Sequence, residues 1–272
     1  MCAEVVETAA SRYTRLRMAE IFVVGSASGF PAPGRGHSSL LLSTADGSIL
    51  VDAGEPCSRS LAEAQISFDT IDAVLLTHGH ADHTGGLPML IQSLWLSHRD
   101  RPLTVFLPEE LSRPLLQWLS AIYLGPDFLP FEMIFIAWEA EEPFEVCGLQ
   151  IRPRETTHLR SLSEKFGNGR FKSYSLQVEH SEFRIVFSGD LGSPMDLEVQ
   201  LGNPVDLLVC ELAHFPPNEL FRFLATRKVR KLLLTHLAPE LRGTEESIVQ
   251  GAREDLPETI VLVADDGLRV KV

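Results

Sequence analysis

The residues of this sequence best equipped for chemistry crowd into one stretch, Thr77-His78-Gly79-His80-Ala81-Asp82-His83. Three imidazoles and a carboxylate fall within six consecutive positions, in a chain with only nine histidines to place. Neutral imidazole nitrogen suits Zn, Fe or Ni, and a hard carboxylate oxygen suits Zn, Fe or Mn. His78 and His80 can face one ion while Asp82 and His83 turn toward a second. The apolar run Ile71 to Leu76 before the cluster reads as a buried strand, and Met89 to Leu96 after it as a helix. The cluster therefore occupies the turn at the carboxyl end of a strand, where open α/β sheets bind ligands.

The elements that must position further ligands follow the same plan. Asp190 closes the apolar run Ile185-Val186-Phe187, and His236 follows Leu232-Leu233-Leu234-Thr235. His158 comes after Leu149-Gln150-Ile151, and Asp52 ends Ser48-Ile49-Leu50-Val51. A strand delivers one polar side chain to its end in each case, which is what convergence on a single site requires. A carboxylate at such an end can bridge two cations with its two oxygens. Between these points the pattern predicts strands at 21–25, 39–43 and 48–51, with a turn at Asp46-Gly47. It predicts further strands at 103–107, 131–138, 144–151, 173–179 and 183–188, and helices at 58–65 and 109–122. Beyond Asp190, strands at 206–210, 230–235, 259–264 and 267–272 alternate with helices at 217–226 and 244–253. Strands with helices in both halves fit two sheets covered by helices. Neither repeat nor linker interrupts the chain, so residues 19–272 are expected to form a single domain behind an N-terminal extension, residues 1–18.

Composition narrows the function. At 44% hydrophobic and 22% charged residues, this is ordinary globular protein. The net charge of −13 disfavours broad attraction to nucleic acid or anionic membrane. The four cysteines form no close pair, which fits buried thiols in a reducing compartment. No stretch of about 18 apolar residues is present, so no membrane span is expected. Residues 1–18 lack the apolar core of a signal peptide. A cytoplasmic location is the resulting expectation.

The H-x-H-x-D-H motif after an apolar strand resembles the metal-binding motif of the metallo-β-lactamase superfamily. The resemblance implies a four-layer αββα sandwich with two divalent metal ions at its edge, Zn²⁺ first, with Mn²⁺ or Fe²⁺ as alternatives. It assigns His78, His80 and His158 to one ion and Asp82, His83 and His236 to the other, with Asp190 bridging. Asp52 stands where the superfamily places a residue that orients ligands. Within the superfamily the chain resembles ribonuclease Z, through Phe22-Val23-Val24-Gly25, Arg35, Ser38-Ser39, Asp52-Ala53-Gly54-Glu55, His78 to His83 and Gly86-Leu87-Pro88. The segment Asp206 to Ala213 resembles the one whose glutamate, here Glu211, braces a catalytic histidine. His214, 22 residues before His236, stands where that histidine is found.

The resemblance implies a metal-dependent hydrolase, with a phosphodiester as substrate and a hydroxide held between the ions as nucleophile. Asp82 would double as ligand and proton acceptor, and His214 would protonate the leaving oxygen. The substrate loop departs from the family pattern: Pro31-Ala32-Pro33-Gly34-Arg35-Gly36 keeps Arg35 but has Pro33 and Gly36 where lysine and asparagine belong. With no basic arm and an acidic chain, a small-molecule or short nucleotide phosphodiester is expected rather than tRNA. Residues 152–172 carry six basic and two acidic residues around His158. They suggest a phosphate-receiving lid, with Arg160 and Lys165 as its contacts and a turn at Phe166 to Gly169. Two other readings stay open: hydrolysis of a thioester, lactone or other small ester, and a non-catalytic metal-binding or partner-binding module. Relatives in the ribonuclease Z branch suggest a homodimer.

Overall fold

The computed structural model describes residues 19–167 and 170–272. The extension expected at residues 1–18, and Asn168 and Gly169 of the expected lid turn, lie outside the described residues.

Two seven-stranded sheets stack face to face. The first runs in the order β14 (Arg269–Lys271), β1 (Glu20–Gly25), β2 (Ser39–Ser43), β3 (Ser48–Val51), β4 (Ile71–Leu75), β5 (Leu103–Pro108), β6 (Met133–Trp138). The second runs in the order β13 (Ile260–Val263), β12 (Val229–Leu237), β11 (Val205–Leu212), β10 (Arg184–Phe187), β9 (Ser173–Glu179), β8 (Leu149–Thr156), β7 (Phe144–Val146). Alternate side chains of the central strands divide between two cores because successive residues of a strand face opposite ways. Ile49, Val51, Ala73 and Leu75 meet Leu176, Val178, Ile185 and Leu207 between the sheets. Leu50, Val74 and Leu76 point outward beneath helices α1 (Cys57–Glu63), α3 (Leu87–Leu96) and α4 (Glu109–Ala121). Leu208, Leu232 and Leu234 do the same beneath α6 (Pro217–Leu224) and α7 (Glu245–Asp255). The result is the expected αββα sandwich. A strand covered on both faces is apolar through its centre, which is why 73–76 and 207–210 read as unbroken runs.

The parallel strands β3 to β6 end at one edge of the sandwich, as do β10, β11 and β12. One-turn helix α2 (Ala81–Thr84) follows β4 there, and α5 (Arg160–Phe166) follows β8. One expectation fails in detail. Residues 144–151 form a hairpin, β7 to β8, with Val146 paired to Leu149. Its two-residue turn is Cys147-Gly148, both at positive φ (51° and 66°), as the tightest hairpin turn demands; cysteine at the first position hides the usual asparagine signal. In the basic segment expected to form a lid, residues 160–166 are helical, between β8 and β9.

Candidate metal centre

The strand ends bring the seven expected ligands together in two groups. His78, His80, His158 and Asp190 offer donor atoms that all lie within 4.8 Å of one another, and so do Asp82, His83 and His236. Asp190 joins the groups. Its Oδ2 lies 3.5 Å from His158 Nε2 and 3.8 Å from His78 Nε2, while its Oδ1 lies 3.3 Å from His83 Nε2 and 3.6 Å from His236 Nε2. Asp82 Oδ2 stands 3.5 Å from His83 Nε2 and 3.6 Å from His236 Nε2.

The donor set fits divalent cations on its own chemistry. His78 Nε2, His83 Nε2 and Asp190 Oδ1 are buried without a hydrogen-bond partner, and buried polar atoms are rarely left that way. Burial drives the imidazoles of His78, His80 and His236 below the usual histidine range, and that of His158 down to about 4. They are therefore held neutral, with lone pairs available. His83 is the exception: burial opposes its charge, but Asp190 and Asp52 outweigh burial and raise it. Burial likewise opposes the Asp190 charge, yet the surrounding imidazoles, His236 and His83 foremost, hold its carboxyl well below the ordinary range. The centre balances an anion against positive charge that a metal would supply.

Behind the ligands sits Asp52, 2% exposed and at φ 59°, a backbone state that aspartate tolerates better than most residues. Its carboxylate accepts His83 Nδ1–H at 2.7 Å, Thr77 N–H at 2.8 Å and the Thr77 hydroxyl at 2.9 Å. Thr77 Oγ1 also lies 3.0 Å from His78 Nδ1. One buried carboxylate thus orients histidines of both groups, the usual arrangement behind ligating imidazole. Thr77 was not among the expected residues, since a threonine beside a histidine carries no distinguishing signal. His236 sits at φ 52° and Gly189, just before Asp190, at φ 55°; such conformations concentrate at functional sites.

The expected histidine beyond the ligands is also in place. His214 Nδ1 lies 2.8 Å from Glu211 Oε1, and its Nε2 faces Asp190 Oδ2 at 3.9 Å. Glu211, 1% exposed, further accepts N–H groups from Leu191, Ala213 and His214. It therefore ties the Asp190 loop to the His214 loop. Burial lowers the His214 pKa, but the hydrogen bond and charge of Glu211 win and the net shift is upward. The His214 side chain is 33% exposed, against 0% for His78, so solvent reaches the centre from the His214 side.

The three expected substrate contacts fare differently. Arg35 Nη1 donates to Ser26 Oγ and to the Ala264 carbonyl, each at 3.0 Å, and pairs with Asp265 at 3.1 Å. It lines a separate cavity of about 700 Å³ with Phe22, Arg59 and Asp266. These contacts tie Arg35 to the strand-end loops around Ser26 and Ala264. Arg160 and Lys165 lie on the exposed face of α5, just after His158. Arg160 is 3.7 Å from Glu164, and the Lys165 ammonium lies over the Phe166 ring. Arg154 pairs with Glu141, and Lys172 with Glu155 at 3.8 Å. Local partners thus neutralise much of the charge counted along the segment.

Comparison with known proteins places this geometry. A family model described as "Anti-Pycsar protein Apyc1" matches residues 19–247. A ribonuclease Z of Lachnospira eligens is 33% identical over 306 aligned positions, covering 94% of this chain and 98% of that one. The metallo-β-lactamase fold protein YhfI of Bacillus subtilis superposes with a TM-score of 0.77 at 21% identity, covering 94% and 100% of the two chains. The short form of human tRNase Z gives 0.70 at 19%, covering 92% and 98%. These relatives lend no support to the expectation that tRNA is excluded as a substrate. Among the described residues, no helix is long and apolar enough to cross a membrane. With its His/Asp metal site, the protein is a ribonuclease Z-like hydrolase of the metallo-β-lactamase fold, and the chain belongs to the Anti-Pycsar protein Apyc1 family.

Proposed function

We propose that this protein hydrolyses a small or short-nucleotide phosphodiester with the help of two divalent ions. The observation that carries the reading is the division of seven donors into two groups, with one oxygen of Asp190 facing each. His78, His80 and His158 would hold one ion and Asp82, His83 and His236 the other, with Asp190 shared. Bound there, Zn²⁺ (or Mn²⁺ or Fe²⁺) supplies Lewis acidity and brings the pKa of water to roughly 7.

The chain's own groups do the rest. Asp82 is half-buried beside the open side and takes the proton released by the attacking water. His214 donates from Nε2 to the departing oxygen. Glu211 holds its Nδ1–H and raises its pKa, which favours the protonated ring that general-acid work requires. Asp52 keeps the His83 proton on Nδ1, so that Nε2 turns its lone pair to the ion. Arg160 and Lys165, within about two turns beyond His158, receive the charged phosphate oxygens of the substrate.

The test is a comparison of substrate classes. The metal-loaded protein should hydrolyse bis-p-nitrophenyl phosphate at least a hundredfold faster than p-nitrophenyl thioacetate or a simple lactone. His214→Ala should reduce the diester rate more than it reduces metal content. Turnover of the thioester or lactone in preference to the diester would replace this reading with an ester hydrolase. A metal-loaded protein inert on all three would point to a binding module.

A further inference from the structure

The loops that carry His158 and Asp190 are held together by a carboxylate outside the ligand set. We propose that Asp196 is a positioning residue that fixes His158 against Asp190, and so governs the His78/His80/His158 site more strongly than its neighbour, which shares Asp190. The inference rests on the proposed two-ion reading and deepens it.

Asp196 occupies the third position of the short helical turn Pro194–Leu197, in a reciprocal cap with Ser193. Its side chain also leaves that turn. Oδ2 accepts the Thr157 N–H at 3.0 Å and the Gly192 N–H at 2.8 Å, and the Thr157 hydroxyl donates to the carboxylate at 3.0 Å. Thr157 immediately precedes His158, and Gly192 is two residues after Asp190. One carboxylate therefore pins the backbones that deliver both ligands. A second rung lies beneath, where the buried Thr156 hydroxyl donates to the Asp190 carbonyl at 2.8 Å. The loops approach so closely that a Cβ on Gly192 would stand 2.1 Å from Thr157 Oγ1. Glycine is needed there for the clamp to close.

The clamp acts most on one group of ligands, because the Asp190 loop is also held by Glu211 and Thr156. His158 and the Asp190 oxygen facing it belong with His78 and His80. Asp82, His83 and His236 reach their positions through Asp52, β4 and β12, and none of these contacts Asp196 through a hydrogen bond among the described residues. Loosening the clamp should thus weaken the His78/His80/His158 site more than its neighbour, which it reaches only through Asp190. Supporting contacts of this kind are worth 10- to 100-fold in metal affinity. An exposed clamp belongs at the lower end.

The experiment separates the two sites by removing one at a time. Co²⁺ is titrated into the metal-free protein and followed by its visible ligand-field absorption, with Zn²⁺ content checked by equilibrium dialysis. In a His236→Ala background, Asp196→Ala should weaken the remaining Co²⁺ site about tenfold and shift its spectrum. Asp196→Asn, which keeps an acceptor for the two N–H groups, should stay within about threefold. In a His158→Ala background, Asp196→Ala should change Co²⁺ affinity less than twofold. Equal weakening in both backgrounds, or none in the first, overturns the proposal. Should Asp196→Ala not fold, Thr157→Val removes only the hydroxyl contact and should weaken the first background severalfold and not the second. Unchanged affinity in both would again overturn the assignment. Absence of Co²⁺ binding by the unsubstituted protein would instead refute the two-ion function on which the proposal rests.

Discussion

Asp52→Asn exchanges one carboxylate oxygen for an amide NH₂, and the hydrogen bonds around Asp52 dictate where that NH₂ must lie. Oδ1 must remain an acceptor, because the buried Thr77 N–H points at it from 2.8 Å. The amide nitrogen therefore takes the Oδ2 position, 2.7 Å from His83 Nδ1. Two N–H groups cannot share that contact, so His83 must move its proton to Nε2. That nitrogen otherwise faces Asp190 at 3.3 Å and Asp82 at 3.5 Å as a free donor to metal. The variant keeps the fold and loses a lone pair at the Asp82/His83/His236 site. The expected loss in affinity there is about 10- to 100-fold, or about 1.4–2.7 kcal/mol. Asp52→Ala instead strands Thr77 N–H and His83 N–H in the interior, at about 1–3 kcal/mol each; the Thr77 hydroxyl can turn to His78 Nδ1. Together that is about 2–6 kcal/mol, a large share of ordinary domain stability. Chelator-buffered Zn²⁺ titration and thermal unfolding of the metal-free variants separate the effects. Asn should bind one ion weakly and melt near the wild type, whereas Ala should melt well below it. Two full-affinity ions in Asp52→Asn would refute the tautomer argument.

Neighbouring contacts carry further expectations. Glu211 raises the His214 pKa, and activity that needs protonated His214 falls as pH rises through that pKa. Glu211→Gln should therefore shift the alkaline limb of kcat toward lower pH; an unmoved limb with a lower plateau would show that His214 is not the group titrating. Asp190→Ala should lower occupancy of both ions, because each of its oxygens faces one ligand group, while His80→Ala should lower only one, as read by metal analysis after dialysis. Reversing both Arg160 and Lys165 to Glu should raise KM for bis-p-nitrophenyl phosphate about tenfold with kcat little changed. Unaltered kinetics would remove α5 from substrate binding.

Much of this was legible in the amino-acid pattern because the architecture demands it. Strands such as 71–76 and 230–235 are covered on both faces and apolar through their centres, Ala73 to Leu76 and Leu232 to Leu234, so a polar residue at the strand end stands out. Asp52, Asp190 and His236 all announce themselves this way. What escaped was set by contacts distant in the chain or by backbone conformation. The pairing of Arg35 with Asp265, far along the sequence, left no mark in the pattern. The Cys147-Gly148 turn lacks the residues that normally mark one. Helix α5 has too few apolar residues to show a buried face, and the basic residues of 152–172 read as one cluster until Glu141, Glu155 and Glu164 are seen beside Arg154, Lys172 and Arg160. Asp196 did leave a trace, in the Ser-Pro-Met-Asp capping pattern at 193–196. That pattern explains its bond to Ser193 and says nothing of its reach to Thr157.

The central claim is that the strand ends of two sheets assemble a paired metal site. Anomalous scattering above and below the zinc absorption edge, from crystals of the zinc-loaded protein, tests it most directly. Two peaks about 3.5–4 Å apart are expected, one among His78, His80 and His158, the other among Asp82, His83 and His236, with Asp190 between them. A single peak, or zinc bound elsewhere on the molecule, would contradict it.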